Sequence, residues 1–131
     1  VVPRKDDTRL GLSYSILEGL PVGALDRLAD TVAPNDNRFK FRLISKATLD
    51  RRKKSASKRL TSEEGDKLAR IAKVFSFALD IYKDPAKVRD FLGRAHPMLD
   101  NKPPLDVALA TGPGADVVIN LLGRAAYGGG A

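Results

Sequence analysis

Hydrophobic residues recur along most of this chain at intervals of three and four, the period of a helix. In 21–32, Val22, Leu25, Leu28, Ala29 and Val32 form one stripe, with Asp26, Arg27 and Asp30 opposite. That pattern predicts a support helix, and Pro21 suits its first turn. Ala33-Pro34-Asn35 then breaks the chain. The stretch 39–54, FKFRLISKATLDRRKK, sets Phe39, Phe41, Leu43, Ile44, Ala47 and Leu49 among polar residues and ends in a run of cations. It predicts a helix over 36–43, a turn plugged into a core by Ile44, and a second helix capped by Ser45, whose hydroxyl accepts a bond from an orphan backbone N–H. Two short helices joined in this way make a helix-turn-helix.

Residues 1–9 read as a polar arm, and Ser13 as the cap of a short helix over 14–20. After Lys54, the small and cationic segment 55–59 marks a boundary, which divides the chain into 1–59 and 60–131. Leu60 followed by Thr61-Ser62-Glu63-Glu64 is a capping box with its staple residue. It opens a long helix to about Tyr82, on which Leu68, Ile71, Ala72, Phe75, Ala78, Leu79 and Tyr82 recur at helical spacing. Asp84-Pro85 starts a helix over 85–94 that ends at His96-Pro97, and Pro103-Pro104 starts another over 104–110. Thr111-Gly112-Pro113-Gly114 opens the last helix, with Val117, Val118, Leu121, Leu122, Ala125 and Ala126 as its apolar set, ending at the glycines from Gly128 onward. The glycines around Pro113 do not make a phosphate loop, since no strand precedes them and no Gly-Lys-Ser/Thr follows.

Composition narrows the fold to all-α. Aromatics are 6% of the 131 residues and Trp is absent, so the core rests on Leu, Ile, Val and Ala. Cys is absent and His96 is the single histidine, which leaves no disulfide framework, no thiolate metal site and no His cluster. No Ser, His and acid arrangement and no spaced carboxylate pair is present, so a binding protein without a cofactor is expected rather than an enzyme. No apolar run is long enough to span a bilayer and no leader pattern precedes the fold, which predicts a soluble cytoplasmic protein.

Charge is distributed unevenly. The net charge is +7, yet fourteen Lys and Arg against seven acids precede Thr61, and nine of each follow it. The whole excess lies in the first half, the layout of a polyanion-binding module joined to a neutral partner-binding one. Within the second helix of the helix-turn-helix, Ser45, Lys46, Thr48, Arg51, Arg52 and Lys53 are the candidate contacts to double-stranded DNA. Such a helix fits a major groove, with its N-terminal side chains at base edges and its cations on phosphates. An RNA track along Arg51–Lys54 and Lys58-Arg59 is the rival reading, and the lack of aromatic platforms among these cations counts against it. His96, beside a proline and away from any acid at a diagnostic spacing, is expected to be structural or exposed.

From Gly11 to Ala131 the chain also resembles the Xre-type antitoxins, the MbcA/ParS/Xre family, whose partners are toxins of the RES-domain class. The residues that carry the resemblance are Gly11-Leu12-Ser13, Leu20-Pro21, Ile44-Ser45, Thr48-Leu49, Arg51-Arg52 and Arg59-Leu60-Thr61 in the first half. In the second half they are Asp84-Pro85, Phe91-Leu92, Pro104-Leu105-Asp106, Gly114, Val118, Leu121-Leu122, Arg124 and Tyr127-Gly128. The resemblance implies an N-terminal helix-turn-helix domain followed by a small helical toxin-binding domain, and a RES-domain toxin that depletes NAD. It also implies inhibition by the C-terminal region laid over the toxin's active site, which here assigns Leu122, Arg124, Tyr127, Gly128, Gly129, Gly130 and Ala131 to toxin binding. The glycines suit a narrow cleft, Tyr127 offers an amphipathic anchor and Arg124 an anion partner. The chain departs from the family pattern in ending Ala125-Ala126-Tyr127 with three glycines, where a bulkier apolar residue is expected after the first glycine. Repression of its own operon, a homodimer on a two-fold operator, and larger toxin–antitoxin assemblies follow from the same resemblance. The alternative is a stand-alone dimeric helix-turn-helix regulator without a toxin partner.

Overall fold

The computed structural model describes residues 19–127, with the Tyr127 side chain left out. The expected arm over 1–9, the helix over 14–20 as far as residue 18, and Gly128, Gly129, Gly130 and Ala131 lie outside the described residues. Within them the secondary structure is helical: α1 (Gly23–Val32), α2 (Lys40–Leu43), α3 (Lys46–Lys54), α4 (Ser62–Tyr82), α5 (Pro85–Gly93), α6 (Pro104–Ala110) and α7 (Gly112–Tyr127), with a single 3-10 turn at Pro97–Leu99. No strand is formed and only two isolated antiparallel bridges occur among the described residues. No helix there is long and apolar enough to cross a membrane. By packing the chain divides into two compact units, with the division between Leu68 and Ala69, inside α4.

In the first unit, Leu25, Phe39, Leu49 and Leu60 are at most 3% exposed and close the core, with Ile44 plugging the turn as the sequence requires. α1 begins at Gly23, two residues later than Pro21 predicts. The reason is a clasp with the segment after α3: Pro21 bridges Arg59, the Val22 N–H donates to the Lys58 carbonyl at 3.0 Å, and the Leu60 N–H donates to the Leu20 carbonyl at 2.8 Å. Gly19 enters this clasp at φ +94°, with the Leu60 carbonyl 2.8 Å from where a Cβ would sit. Only glycine fits both constraints. α2 is also shorter than the expected 36–43. The Asp36 carboxylate accepts from the Arg38 N–H at 2.9 Å, an Asx-type turn that competes with the helix, and Phe41 and Arg42 bond three residues back.

In the second unit α6 packs on both α5 and α7. The inward stripe of α4 is Leu68 at the junction, then Ile71, Val74, Phe75 and Ala78, so Val74 takes the place expected of Ala72, which is exposed. On α7 the stripe is Ala115, Val118, Leu121 and Leu122; Val117 is 48% exposed, and Ala125 and Ala126 face solvent. The starts of these helices follow local chemistry. Asp84 caps α5 by accepting from the Ala86 N–H at 2.9 Å, and Thr111 caps α7 by accepting from the Gly114 N–H at 2.8 Å. Gly114 lies so close to the Val107 carbonyl that a Cβ there would collide with it, which lets α7 start tight against α6.

Candidate functional site

α3 carries the first candidate site. The Ser45 hydroxyl accepts from the Thr48 N–H at 3.3 Å and donates to the Thr48 hydroxyl at 2.9 Å, so both residues are engaged in the N-cap. Only Leu49 on this helix is buried, at 2% exposure. At about 100° per residue, a helix that points Leu49 inward points Ala47 and Arg51 directly outward, with Asp50 and Lys54 beside them. Ala47 and Lys54 were not among the sequence candidates, and the helical period anchored on Leu49 is the signal that finds them. Lys46, Arg51, Lys53 and Lys54 are exposed and hold no ion pair among the described residues. With side chains a helix is about 10–12 Å in diameter, which a major groove about 12 Å wide admits.

Arg52 differs from its neighbours. Its guanidinium turns inward and donates from Nε to Glu64 Oε1 at 3.1 Å and from Nη2 to Glu64 Oε2 at 3.3 Å, with the two side chains 24% and 16% exposed. Glu64 meanwhile closes the capping box of α4: Oε1 accepts from the Thr61 N–H at 2.8 Å, and the Glu64 N–H donates to the Thr61 hydroxyl at 3.2 Å. Burial alone raises the Glu64 pKa, but the Arg52 and Thr61 hydrogen bonds and the guanidinium charge outweigh it and hold the carboxyl below its ordinary value. Further clamps tie the remaining helices of this unit. Lys67 donates to the Arg42 carbonyl at 3.2 Å and Lys40 pairs with Asp26 at 3.6 Å, so α2 is held from α4 on one side and α1 on the other. Arg59 donates to the Gly19 carbonyl at 2.6 Å. The unpaired cations of α3 therefore stand on a scaffold held in part by other cations that are bonded across it.

The second candidate site is the C-terminal part of α7. Leu122 is 1% exposed and part of the core, whereas Arg124 is exposed one turn from the helix end at Tyr127. Beside Leu122 opens a cleft of about 400 Å³, with Phe91, Leu121 and Leu122 among its apolar walls and Lys87, Arg94 and His96 among its polar ones. Tyr82 and Phe91 pack with ring centroids 5.8 Å apart, and Phe91 meets the His96 ring edge-on at 6.5 Å. Burial, and then the charge of Asp90, push the Tyr82 hydroxyl above its ordinary pKa, so it remains a donor. His96 is structural: its Nδ1 accepts from the Met98 N–H at 3.1 Å and starts the 3-10 turn. No cluster of three His, Asp or Glu able to hold a metal occurs among the described residues.

Two families match the chain in the order of its two units. Residues 11–73 match the antitoxin Xre-like helix-turn-helix domain, which contains α1–α3, the capping box and the Arg52–Glu64 pair. Residues 77–128 match the antitoxin Xre/MbcA/ParS C-terminal toxin-binding domain, which contains α5–α7 and the cleft. No individual curated protein matches the chain. Neither domain is an enzymatic family, and together they imply DNA and a toxin as partners. A capped, cation-bearing helix-turn-helix followed by a toxin-binding domain, each recognised by its own family across nearly the whole chain, places this protein among the Xre-type antitoxins.

Proposed function

We propose that the protein neutralises a RES-domain toxin that depletes NAD, and that it does so by laying the region from Leu122 through Arg124, Tyr127, Gly128, Gly129, Gly130 and Ala131 over the toxin's active site. The observation that carries the reading is the toxin-binding domain match, which extends through α7 to residue 128 and so reaches the start of this tail. Arg124, exposed near the end of a helix, is available to pair with an acid or an anion site in the toxin. Leu122 acts indirectly in this scheme, by fixing α7 in its core so that the tail leaves in one direction.

The same protein, as a homodimer, represses its own operon. Lys46, Arg51 and Lys53 supply phosphate and base contacts from α3, Ser45 and Thr48 set the N-terminal turn that approaches the bases, and Arg52 positions the helix through Glu64. The test is co-expression with the product of the adjacent gene, followed by measurement of cellular NAD with the full chain and with a chain ended after Gly123. Protection by the full chain and failure by the short one, with the complex retained, is the expected outcome. A full chain that neither binds that product nor preserves NAD overturns the reading.

A further inference from the structure

Two exposed residues of α3 have no part in the proposed operator contacts, and both lie off its buried face. Ala47 stands in the first turn, opposite the buried Leu49, and Asp50 follows about 60° around the helix and about 4.5 Å along it. The capping hydroxyls leave them little competition. Ser45 gives its only hydroxyl proton to Thr48 and accepts from the Thr48 N–H, and Thr48 is half-buried on the flank. Asp50 is the single acid of α3, whose sequence is KATLDRRKK. Lys46, Lys53 and Lys54 stand three or four residues from it, the spacing at which charges pair on a helix, yet none is bonded to it among the described residues. A carboxylate on a helix that meets a phosphate backbone is repelled, and the loss is offset where the carboxylate accepts from a base amino group. The major groove offers two such groups, cytosine N4 and adenine N6. Adenine sets its N7 acceptor beside the amino group, facing the second carboxylate oxygen, so cytosine is the better partner. A side-chain methyl, in turn, singles out the one base that carries a methyl there, thymine.

We infer that Ala47 and Asp50 set the sequence preference of the operator, Ala47 by packing on a thymine C5-methyl and Asp50 by accepting from a cytosine N4 amino group. This rests on the proposed operator binding by α3. A separation of about 4.5 Å falls between one and two base steps of about 3.4 Å, so each half-site carries the T·A and C·G pairs next to each other or one pair apart. The lysines supply affinity without regard to sequence. Asp50 subtracts from it wherever no amino group meets the carboxylate, and its repulsion thereby becomes discrimination.

The test selects binding sites for the full chain from a pool of duplexes with a randomised centre, then measures affinity for the enriched duplex and its variants at fixed salt. The enriched site is expected to hold the neighbouring thymine and cytosine. Replacing that thymine with deoxyuridine, which removes only the methyl, should weaken wild-type binding about fourfold and leave binding by Ala47→Gly unchanged. Selection with Asp50→Asn should no longer return the cytosine, its discrimination there falling about tenfold, while binding to a duplex of unrelated sequence tightens at least about twofold. Asp50 is exposed and unpaired among the described residues, so Asp50→Asn should melt with wild type, and the deoxyuridine arm needs no variant of the protein. A purely structural role for either residue would change affinity for all duplexes alike. Deoxyuridine tolerated without loss, an Asp50→Asn selection that returns the wild-type site, or a wild-type selection that enriches no sequence overturns the inference and leaves DNA binding standing. Failure of the full chain to bind any duplex removes the operator reading and this inference with it.

Discussion

Replacing Glu64 tests whether one carboxylate holds the second helix of the helix-turn-helix on its scaffold. Glu64 accepts two bonds from Arg52 and one from the Thr61 N–H, so Glu64→Ala removes a half-buried ion pair and a capping box together, whereas Glu64→Gln keeps an oxygen for the cap. Exposed pairs contribute ~0–1 kcal/mol and charged hydrogen bonds ~1.5–3 kcal/mol, and a pair at 24% and 16% exposure falls between, at about 1.5 kcal/mol. The cap adds about 1 kcal/mol. Glu64→Gln and Arg52→Ala are each expected to cost about 1.5 kcal/mol and Glu64→Ala about 2.5 kcal/mol by urea denaturation, with a coupling of about 1.5 kcal/mol in the Arg52→Ala/Glu64→Ala cycle. The pH dependence has a definite sign. Glu64 is held below its ordinary value of 4.5 in the folded chain, so its contribution is complete above that value and is lost as pH falls through the lower, folded pKa. The gap between wild type and Glu64→Gln should be flat near neutrality and close as the solution is acidified below 4.5. A coupling near zero, or a gap that widens in acid, would show that Arg52 is not held by Glu64 and return it to the solvent-facing cations.

Other perturbations separate neighbouring residues of the same type. Arg51→Ala should flatten the salt dependence of operator binding by about 2 from a slope of roughly 7 per dimer, if each subunit meets about four phosphates, while Arg52→Ala should chiefly lower stability; filter binding across a salt series reads this. Gly114→Ala, whose Cβ would collide with the Val107 carbonyl, should cost more than 2 kcal/mol, whereas Gly123→Ala, with nothing within 4 Å of the added carbon, should stabilise α7 by roughly 0.5–1 kcal/mol, both by thermal melting. Asp100→Gly and Asn101→Gly should be tolerated within about 0.5 kcal/mol, and Asp100→Val should cost about 1–2 kcal/mol, because a branched side chain resists the left-handed backbone seen there; denaturation midpoints decide it.

What the sequence showed and what it hid divides along the range of the interaction. Helices fixed by neighbouring residues were legible: the Ser45 cap, the Thr61–Glu64 box, Asp84-Pro85 and the proline and glycine signals around α6 and α7 all lie within four residues of what they control. Helix starts set by distant partners were not, since nothing near Pro21 reveals that Lys58 and Arg59 claim its neighbours, and α1 therefore begins late. The same limit governs the candidate site. A run such as Arg51-Arg52-Lys53-Lys54 shows charge but not direction, and direction depends on Leu49 finding a core and on Glu64, twelve residues beyond Arg52, presenting a carboxylate. Once Leu49 is known to be buried, the helical period turns Arg51 outward, but Arg52 and Lys53 both fall on the flanks of the inward face and only the Glu64 carboxylate separates them. The basic run of α3 therefore holds two kinds of cation, exposed ones without an ion pair among the described residues and Arg52 held by Glu64, and it is the distant carboxylate rather than the helical period that tells Arg52 from Lys53.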